Sequence, residues 1–250
     1  MKPPPFEYHA PESVEEACAL LSALEDAKVL AGGQSLVPLL NFRLARPAHL
    51  VDINRIPNLD RVYERDGGVA VQAVARQADV EDSHVVARAC PLLLAAVRLV
   101  AHRVIRNRGT VCGSLAHADP ASELPAVLLA LGGNVIARST RGDRVIAAVD
   151  LFTSVMQTTL AQDELLVEAW FPASPKQSAI TEESRRHGDF ALAGAVLAGD
   201  RLALFGVAAT PVLADPKNPT HGLQPSGDLE ATPEFRLHLV RVLTDRVFAA

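Results

Sequence analysis

Two adjacent glycines, Gly32 and Gly33, follow a short apolar stretch in VLAGGQSLVP and constrain the backbone sharply. Glycine is preferred where the chain needs a positive φ, so the simplest interpretation is a tight turn after a strand. A second interpretation is a turn whose successive backbone N–H groups bind an anion such as phosphate, with no side chain in the way. The pair alone favours the simple turn, so another feature of the sequence has to decide.

Composition excludes several classes of protein. The chain has 250 residues, 49% of them hydrophobic, enough for one large domain or two or three small ones. A net charge of -5 argues against a nucleic-acid partner, since the arginines are dispersed apart from Arg103, Arg106 and Arg108. No run of 18 apolar residues predicts a membrane span. The first residues, MKPPPFEYHAPESVEEA, lack the apolar segment of a secretory signal, so we expect a cytoplasmic protein.

The cysteines and histidines predict no metal site on this chain. Cys18, Cys90 and Cys112 are far apart and match neither a disulfide framework nor a zinc or iron–sulfur spacing. The eight histidines show no close pairing along the sequence. We interpret Cys18 and Cys90 as small buried hydrophobic residues.

The first 57 residues predict a small α/β unit. Apolar residues at helical spacing predict a helix over residues 12–24, with Ser13 and Glu16 as a capping box. AKVLAG and HLVDINRI read as buried strands, and this helix–strand–connection–strand order favours parallel pairing. The Gly-x-Gly-x-x-Gly spacing of a Rossmann unit is absent.

The remaining sequence alternates strands and short helices. We predict strands at GGVAVQAVA and ELLVEAWFP, a hairpin at NVIARSTRGDRVIAAV, and helices within RQADVEDSHVVARACP, PLLLAAVRLVAH and LPAVLLALG, the last ending at Gly132 and Gly133. PASPKQSAITEES is interpreted as a linker or crossover. Two strands joined by AGDR, a loop from Pro211 to Asp228 and an amphipathic helix close the chain.

A second glycine-bearing stretch, RNRGTVCGSLAHADPASELP, has chemistry like that of the first. It contains Gly109 and Gly113, the hydroxyls of Thr110 and Ser114, and the carboxylate of Asp119. We predict a second loop whose N–H groups and hydroxyls face an anion, with carboxylates nearby for sugar hydroxyls. Such residues also dominate ordinary turns. Two loops of this kind at strand ends nevertheless fit the phosphates and polyol of a dinucleotide cofactor.

The pair AGGQSLVP and TVCGSLAHADPASELP resembles the two FAD loops of the flavoprotein (medium) subunit of molybdenum hydroxylases. That family includes carbon monoxide dehydrogenase, xanthine dehydrogenase and the nicotine and caffeine dehydrogenases. KPPPFEYHAP, NFRLARPAHLVDINRIP, RRHGDFAL and EFRLHLVRVL extend the resemblance over the whole chain. It implies an α+β, vanillyl-alcohol-oxidase-like (PCMH-type) fold. FAD-binding α/β subdomains would span residues 1–57 and 58–173, and a shortened C-terminal α+β domain residues 174–250.

The resemblance also implies which residues bind FAD. The first group is Val29, Leu30, Ala31, Gly32, Gly33, Gln34, Ser35 and Leu36. The second group is Thr110, Val111, Cys112, Gly113 and Ser114. Glu123 matches an acidic position that accepts hydrogen bonds from the cofactor, and Asp119 assists in this contact. Leu166 packs beside the flavin. Cys112 stands where the family commonly has glycine; we expect it to face phosphate, and FAD to be bound without a covalent link.

The implied function is electron transfer with no catalytic side chain on this chain. FAD would take electrons from two [2Fe-2S] clusters on a small partner subunit and pass them to an external acceptor. A large partner subunit would carry the molybdenum cofactor, in a dimer of heterotrimers. One alternative is a stand-alone flavin oxidase or dehydrogenase, against which 4% aromatic residues argue. The other is a flavin-less assembly protein, suggested by Cys112 and the short C-terminal region.

Overall fold

The structure, a computed structural model, describes residues 1–250 and is a mixed α/β arrangement. The helices are α1 (Val14–Ala23), α2 (Leu36–Asn41), α3 (Gln77–Asp82), α4 (His84–Ala89), α5 (Pro91–Leu99), α6 (Arg103–Arg106), α7 (Val111–His117), α8 (Glu123–Leu131), α9 (Ala148–Leu151) and α10 (Pro233–Ala249). The strands are β1 (Glu7–His9), β2 (Ala27–Leu30), β3 (His49–Asp52), β4 (Val62–Arg65), β5 (Gly68–Gln72), β6 (Asn134–Ser139), β7 (Gly142–Ala147), β8 (Phe152–Ser154), β9 (Gln157–Thr158), β10 (Leu165–Pro172), β11 (Ser178–Glu183), β12 (Ala193–Ala198), β13 (Arg201–Phe205) and β14 (Val212–Ala214).

The first sheet is small and parallel. Its order is β1-β3-β2, and the parallel pairing of β2 with β3 confirms the sequence prediction. Ser13 caps α1 as expected, its Oγ accepting from the N–H of Glu16 at 3.1 Å. The Glu16 carboxylate accepts from the N–H of Glu12 at 2.9 Å, one residue before the position that a capping box requires. β1 was not predicted, because three residues after a run of prolines carry too little periodicity.

The second sheet is antiparallel, with order β4-β5-β10-β6-β7. Its central strand β10 has apolar side chains buried on both faces. Leu165 and Val167 pack in one core with α1 and the first sheet, whereas Leu166, Ala169 and Phe171 belong to the main core under the helices. This two-sided burial explains why ELLVEAWFP is almost continuously apolar.

The third sheet has the order β11-β12-β13-β14 and is antiparallel. The expectation that PASPKQSAITEES is a linker is wrong for its second half, since β11 pairs with β12 along six residues. β11 is an edge strand, and edge strands tolerate the polar composition that made this segment look like a linker. The predicted loop after Pro211 likewise contains β14.

The second glycine-bearing segment is not a loop throughout. Residues 111–117 form α7, whose N-cap Thr110 accepts at Oγ1 from the N–H of Gly113 at 3.0 Å. Glycine and serine lower helix propensity, but burial of Val111, Cys112 and Leu115 against the main core outweighs it.

Helix α8 lies at the centre of the molecule. Its residues from Glu123 to Ala130 are all buried, and it packs against β12 and β13 of the third sheet as well as α5. Gly132 ends it with a φ of +72°, as the sequence predicted. No helix in the structure combines the length and apolarity needed to cross a membrane.

Candidate functional site

A cleft of about 300 Å³ opens at the carboxyl ends of β2 and β3. Because both parallel strands end at this edge, the residues that follow them meet here. The lining residues are Leu30, Ala31, Gly32, Gly33, Gln34, Val37, Pro38, Asp52, Asn54 and Arg108. Five of the predicted binding residues therefore lie in one cleft with groups from two other segments.

The floor of this cleft carries a run of unused hydrogen-bond donors. The backbone N–H groups of residues 32–36 donate to no acceptor within the chain. The next N–H, that of Val37, already bonds to the carbonyl of Gly33 at 2.9 Å. Unpaired backbone donors are costly unless water or a ligand accepts from them. Consecutive N–H groups at a turn are suited to an anion with several oxygens, such as a pyrophosphate.

Gly32 and Gly33 are each required to be glycine, but for different physical reasons. A Cβ on Gly32 would lie 2.3 Å from the carbonyl oxygen of Arg108 and 2.8 Å from the Cα of Gly109. Gly32 is therefore required by the close approach of the second segment. Gly33 has a φ of +74°, the left-handed region that glycine adopts without strain. The turn interpretation is therefore correct at Gly33, whereas Gly32 is required by a neighbouring backbone segment. That an anion binds the N–H groups of this turn stays a prediction.

Two side chains that the sequence analysis missed tie the cleft together. Arg76 donates to the carbonyl oxygen of Arg108 at 2.9 Å and to the Oδ1 of Asn54 at 2.6 Å. Asn54 in turn donates to the carbonyl oxygen of Ala31 at 2.8 Å. Asn54 was detectable, since polar residues directly after a buried strand are candidates for a site. Nothing in the sequence around Arg76 indicated its role, which depends on two segments folding together.

The cationic group available to a ligand is Arg108. Arg108 lines the cleft and forms no ion pair with a carboxylate of the chain. Arg106, two residues earlier, is instead buried and donates to both carboxylate oxygens of Glu81, at 3.0 and 3.2 Å. Arg108 is thus free to balance an anion, whereas Arg106 stabilises the fold.

Acidic groups lie beside the second segment. Glu123 begins α8 and is 7% exposed. Burial, together with the nearby carboxylates of Glu182 and Asp119, raises its pKa to about 8. Glu182, on β11, is an acidic residue that sequence reasoning missed, and burial raises its pKa to about 7. Asp119 accepts from the N–H of Ala121 at 2.8 Å and so stabilises its own turn.

The second predicted group is adjacent to the cleft but does not line it. The Cβ of Ala31 would be 3.9 Å from a Cβ on Gly113, which places the start of α7 against the first loop. The Oγ of Ser114 lies 2.9 Å from that of Ser122, next to Glu123. The first loop, α7 and the start of α8 therefore lie next to one another.

Two predicted site residues point into the protein. The Sγ of Cys112 donates to the carbonyl oxygen of Val71 at 3.3 Å, and burial strongly raises the pKa of this thiol. The expectation that the Cys112 side chain faces phosphate is therefore wrong; only its backbone is available to a ligand. Leu166 is 5% exposed and packs in the main core, away from the cleft.

Comparison with known proteins identifies the family. Residues 4–174 match the family described as "FAD binding domain in molybdopterin dehydrogenase". The chain is 40% identical over 281 aligned positions to the 6-hydroxypseudooxynicotine dehydrogenase complex subunit alpha of Paenarthrobacter nicotinovorans, covering 100% of this chain and 95% of that one. It is 46% identical to the nicotine 6-hydroxylase medium subunit of the same organism, covering 77% of this chain and 68% of the relative.

Solved structures show the same relationship. A chain of carbon monoxide dehydrogenase from Hydrogenophaga pseudoflava superposes with a TM-score of 0.95 at 34% identity, covering 100% of this chain and 98% of that chain. Quinoline 2-oxidoreductase from Pseudomonas putida 86 gives a TM-score of 0.93 at 33% identity, covering 100% and 97%.

The residues present fit FAD on physical grounds. The free N–H run and Arg108 are suited to its pyrophosphate, and the adjoining hydroxyls and carboxyls to its sugar and polyol hydroxyls. These features agree with the family match and with relatives that are subunits of oxidoreductases. The chain belongs to the family of FAD-binding medium subunits of molybdenum hydroxylase-type dehydrogenase complexes.

Proposed function

We propose that this chain holds FAD non-covalently and transfers electrons from [2Fe-2S] clusters of a partner subunit to an external acceptor. The observation that carries the proposal is the run of free N–H donors at residues 32–36, beside the unpaired Arg108. When bound, FAD supplies the redox chemistry, and the protein supplies its position and electrostatic surroundings. No acid–base or nucleophilic side chain is assigned on this chain.

The proposed contacts divide between the two segments. Residues 29–36 hold the pyrophosphate side, with Arg108 offsetting its charge. Residues 110–114 approach from the other side through backbone groups and the hydroxyls of Thr110 and Ser114. Glu123 and Asp119 complete the polar surface. Leu166 is buried in the main core, so its packing beside the flavin stays a prediction.

The positions of the cysteines in this chain support partner subunits that carry the other cofactors. Its cysteines are all buried, with Cys18 in one core and Cys90 and Cys112 in another, and they are not arranged to ligate a cluster. We place the two [2Fe-2S] clusters on a small subunit and the molybdenum cofactor on a large one. Relatives are named as the alpha or beta subunit of a dehydrogenase or the medium subunit of a hydroxylase, which supports such an assembly. A dimer of heterotrimers is its proposed stoichiometry.

We also propose the division of the fold. Residues 1–57 contain the whole first sheet, residues 58–173 the second sheet, and residues 174–250 the third sheet and α10. The first two units correspond to vanillyl-alcohol-oxidase-like α/β subdomains that bind FAD between them. The third is the C-terminal α+β domain, which packs on α8.

Purification from the native cell tests the proposal and its alternatives together. We expect flavin absorbance, release of the yellow colour into the supernatant on acid precipitation, and co-purification with a molybdenum-containing and an iron–sulfur subunit. A yellow acid pellet would contradict the non-covalent attachment. A solitary chain that oxidises a small substrate with FAD alone would support the stand-alone oxidase. A colourless protein with both partners attached would support the assembly protein.

A further inference from the structure

A cluster of metal-ligating side chains lies outside the cleft, on the first sheet. Glu7 and His9 are two residues apart on β1 and therefore project from the same face of the sheet. His49, at the start of β3, is the register partner of Glu7. The parallel pairing of β1 with β3 brings together side chains that are about 40 residues apart in sequence, which is why spacing along the chain did not indicate them.

The donor atoms of this cluster are close together. The Nε2 of His9 lies 3.2 Å from the Nδ1 of His49, and that Nδ1 lies 3.4 Å from the Oε2 of Glu7. All three donor atoms lie within 4.8 Å of one another. Zn²⁺ bonds to imidazole nitrogen and carboxylate oxygen at roughly 2.0–2.2 Å, so two ligands of a tetrahedral site are about 3.3–3.5 Å apart. The separation between His49 and Glu7 already has this spacing, and the one between the two histidines is just below it.

We propose that Glu7, His9 and His49 form a surface site for a divalent transition-metal ion of the Zn²⁺ class. Two imidazole nitrogens and one carboxylate oxygen are a donor set that Zn²⁺ accepts. Both histidines are half-buried, whereas the side chain of Glu7 is 75% exposed and can rotate to complete the set. The three ligands leave a fourth position for water or for a group from a partner subunit.

The alternative is a metal-free contact in which the two rings share one hydrogen bond. Such a contact uses one nitrogen of each ring and gives Glu7 a single exposed ion pair, which contributes little to stability. A bound cation engages all three donors at once and links β1 to β3. Tyr8, between the two β1 ligands, donates to the Asp52 carboxylate at 2.6 Å, and Asp52 lines the cleft. The metal therefore stabilises a strand that also contacts the cofactor-binding edge.

Calorimetric titration of the tag-free, FAD-loaded full chain with Zn²⁺ tests the proposal. We expect one Zn²⁺ per chain. His9→Asn and His49→Asn should each weaken binding by at least about 10-fold, since removal even of an outer-shell partner costs 10–100-fold. His221→Asn changes an exposed loop histidine and is the matched control, expected to bind Zn²⁺ as wild type does. Zn²⁺ should also raise the melting temperature of wild type but not of His49→Asn.

The flavin content of each variant reports whether it has folded. Should a histidine variant fail to fold, Glu7→Gln at an exposed position provides the second test, with weaker binding expected. No saturable Zn²⁺ binding by wild type would overturn the proposal. So would binding that His49→Asn and Glu7→Gln leave unchanged, because the ion would then be held elsewhere.

Discussion

At the scale of single residues, Gly33 restricts side-chain identity in the cleft through its backbone conformation. Its φ of +74° is strained for a β-branched residue, and a Cβ there would lie 3.2 Å from Val37 and 3.3 Å from Leu30. We expect Gly33→Val to distort the run of N–H donors and to lower FAD affinity by about 10-fold or more, since such strain costs on the order of 1–3 kcal/mol. Flavin absorbance after dialysis measures the loss.

Gly222→Val is the matched control for this substitution. Gly222 has nearly the same φ, +73°, but nothing lies within 4 Å of its Cβ position. Gly222→Val should therefore introduce the same backbone strain without lowering the affinity for FAD. Retention of full FAD affinity by Gly33→Val would show that the first loop is not the cofactor site.

Glu123 makes the stability of the flavin-free chain depend on pH. Its folded-state pKa of about 8 is above the ordinary value of 4.5, so the folded state binds more protons between these pH values. The free energy of unfolding therefore falls as pH rises from about 5 to 8, at most by roughly 1.4 kcal/mol per unit. Glu123→Gln should reduce this slope in urea unfolding, and Glu182, whose pKa burial raises to about 7, should supply the remaining slope. The exposed control Glu12→Gln should leave it unchanged; an unaltered slope in Glu123→Gln would assign the effect to another group.

At the scale of elements, α7 and α10 begin with the same kind of cap but differ in function. Thr110 caps α7 through the N–H of Gly113 at 3.0 Å, and Thr232 caps α10 through the N–H of Phe235 at 3.2 Å. Thr110→Ala and Thr232→Ala should each cost about 1 kcal/mol in the free energy of unfolding. Only Thr110→Ala should also weaken FAD binding, because α7 adjoins the first loop. Equal flavin affinity in both variants would count against a cofactor contact at the start of α7.

Element boundaries were predictable where one local signal dominated. The cap at Ser13, the αL glycine at Gly132 and the hairpin of β6 and β7 were all identified from sequence. Among the elements that the sequence did not predict are α7 and β11. In both, tertiary contacts outweigh composition: α7 is held by burial of one face, and β11 by pairing along one edge.

At the scale of the whole molecule, the third sheet and α8 share one core. Val196, Ala203 and Phe205 pack in the same cluster as Leu124 and Leu128. Hydrogen bonds join the same parts, from Gly206 N–H to the Pro120 carbonyl at 2.7 Å and from Arg201 to the Leu129 carbonyl at 2.8 Å. The segment after residue 174 is therefore needed to cover the helix that begins at Glu123.

Phe205→Ala tests this shared core. Phe205 is fully buried, so the substitution should cost about 3–5 kcal/mol and lower the melting temperature of the whole chain in one transition. Phe190→Ala, at a side chain 68% exposed, should change stability by no more than about 0.5 kcal/mol. Two separate transitions by circular dichroism, with only one shifted by Phe205→Ala, would show that the units unfold independently.

The amino-acid sequence was sufficient to predict the local turns, the parallel first unit and the two glycine-bearing segments that resemble FAD loops. These are encoded in short spacings, in which each residue's backbone preference acts locally. The tertiary structure decided which groups meet: Gly32 against Arg108, Arg76 bridging to Asn54, Cys112 turned into the core, and His9 beside His49. Such contacts join residues from 22 to 76 positions apart. Chain folding sets their geometry, because packing and strand register, rather than local preference, fix which side chains become neighbours.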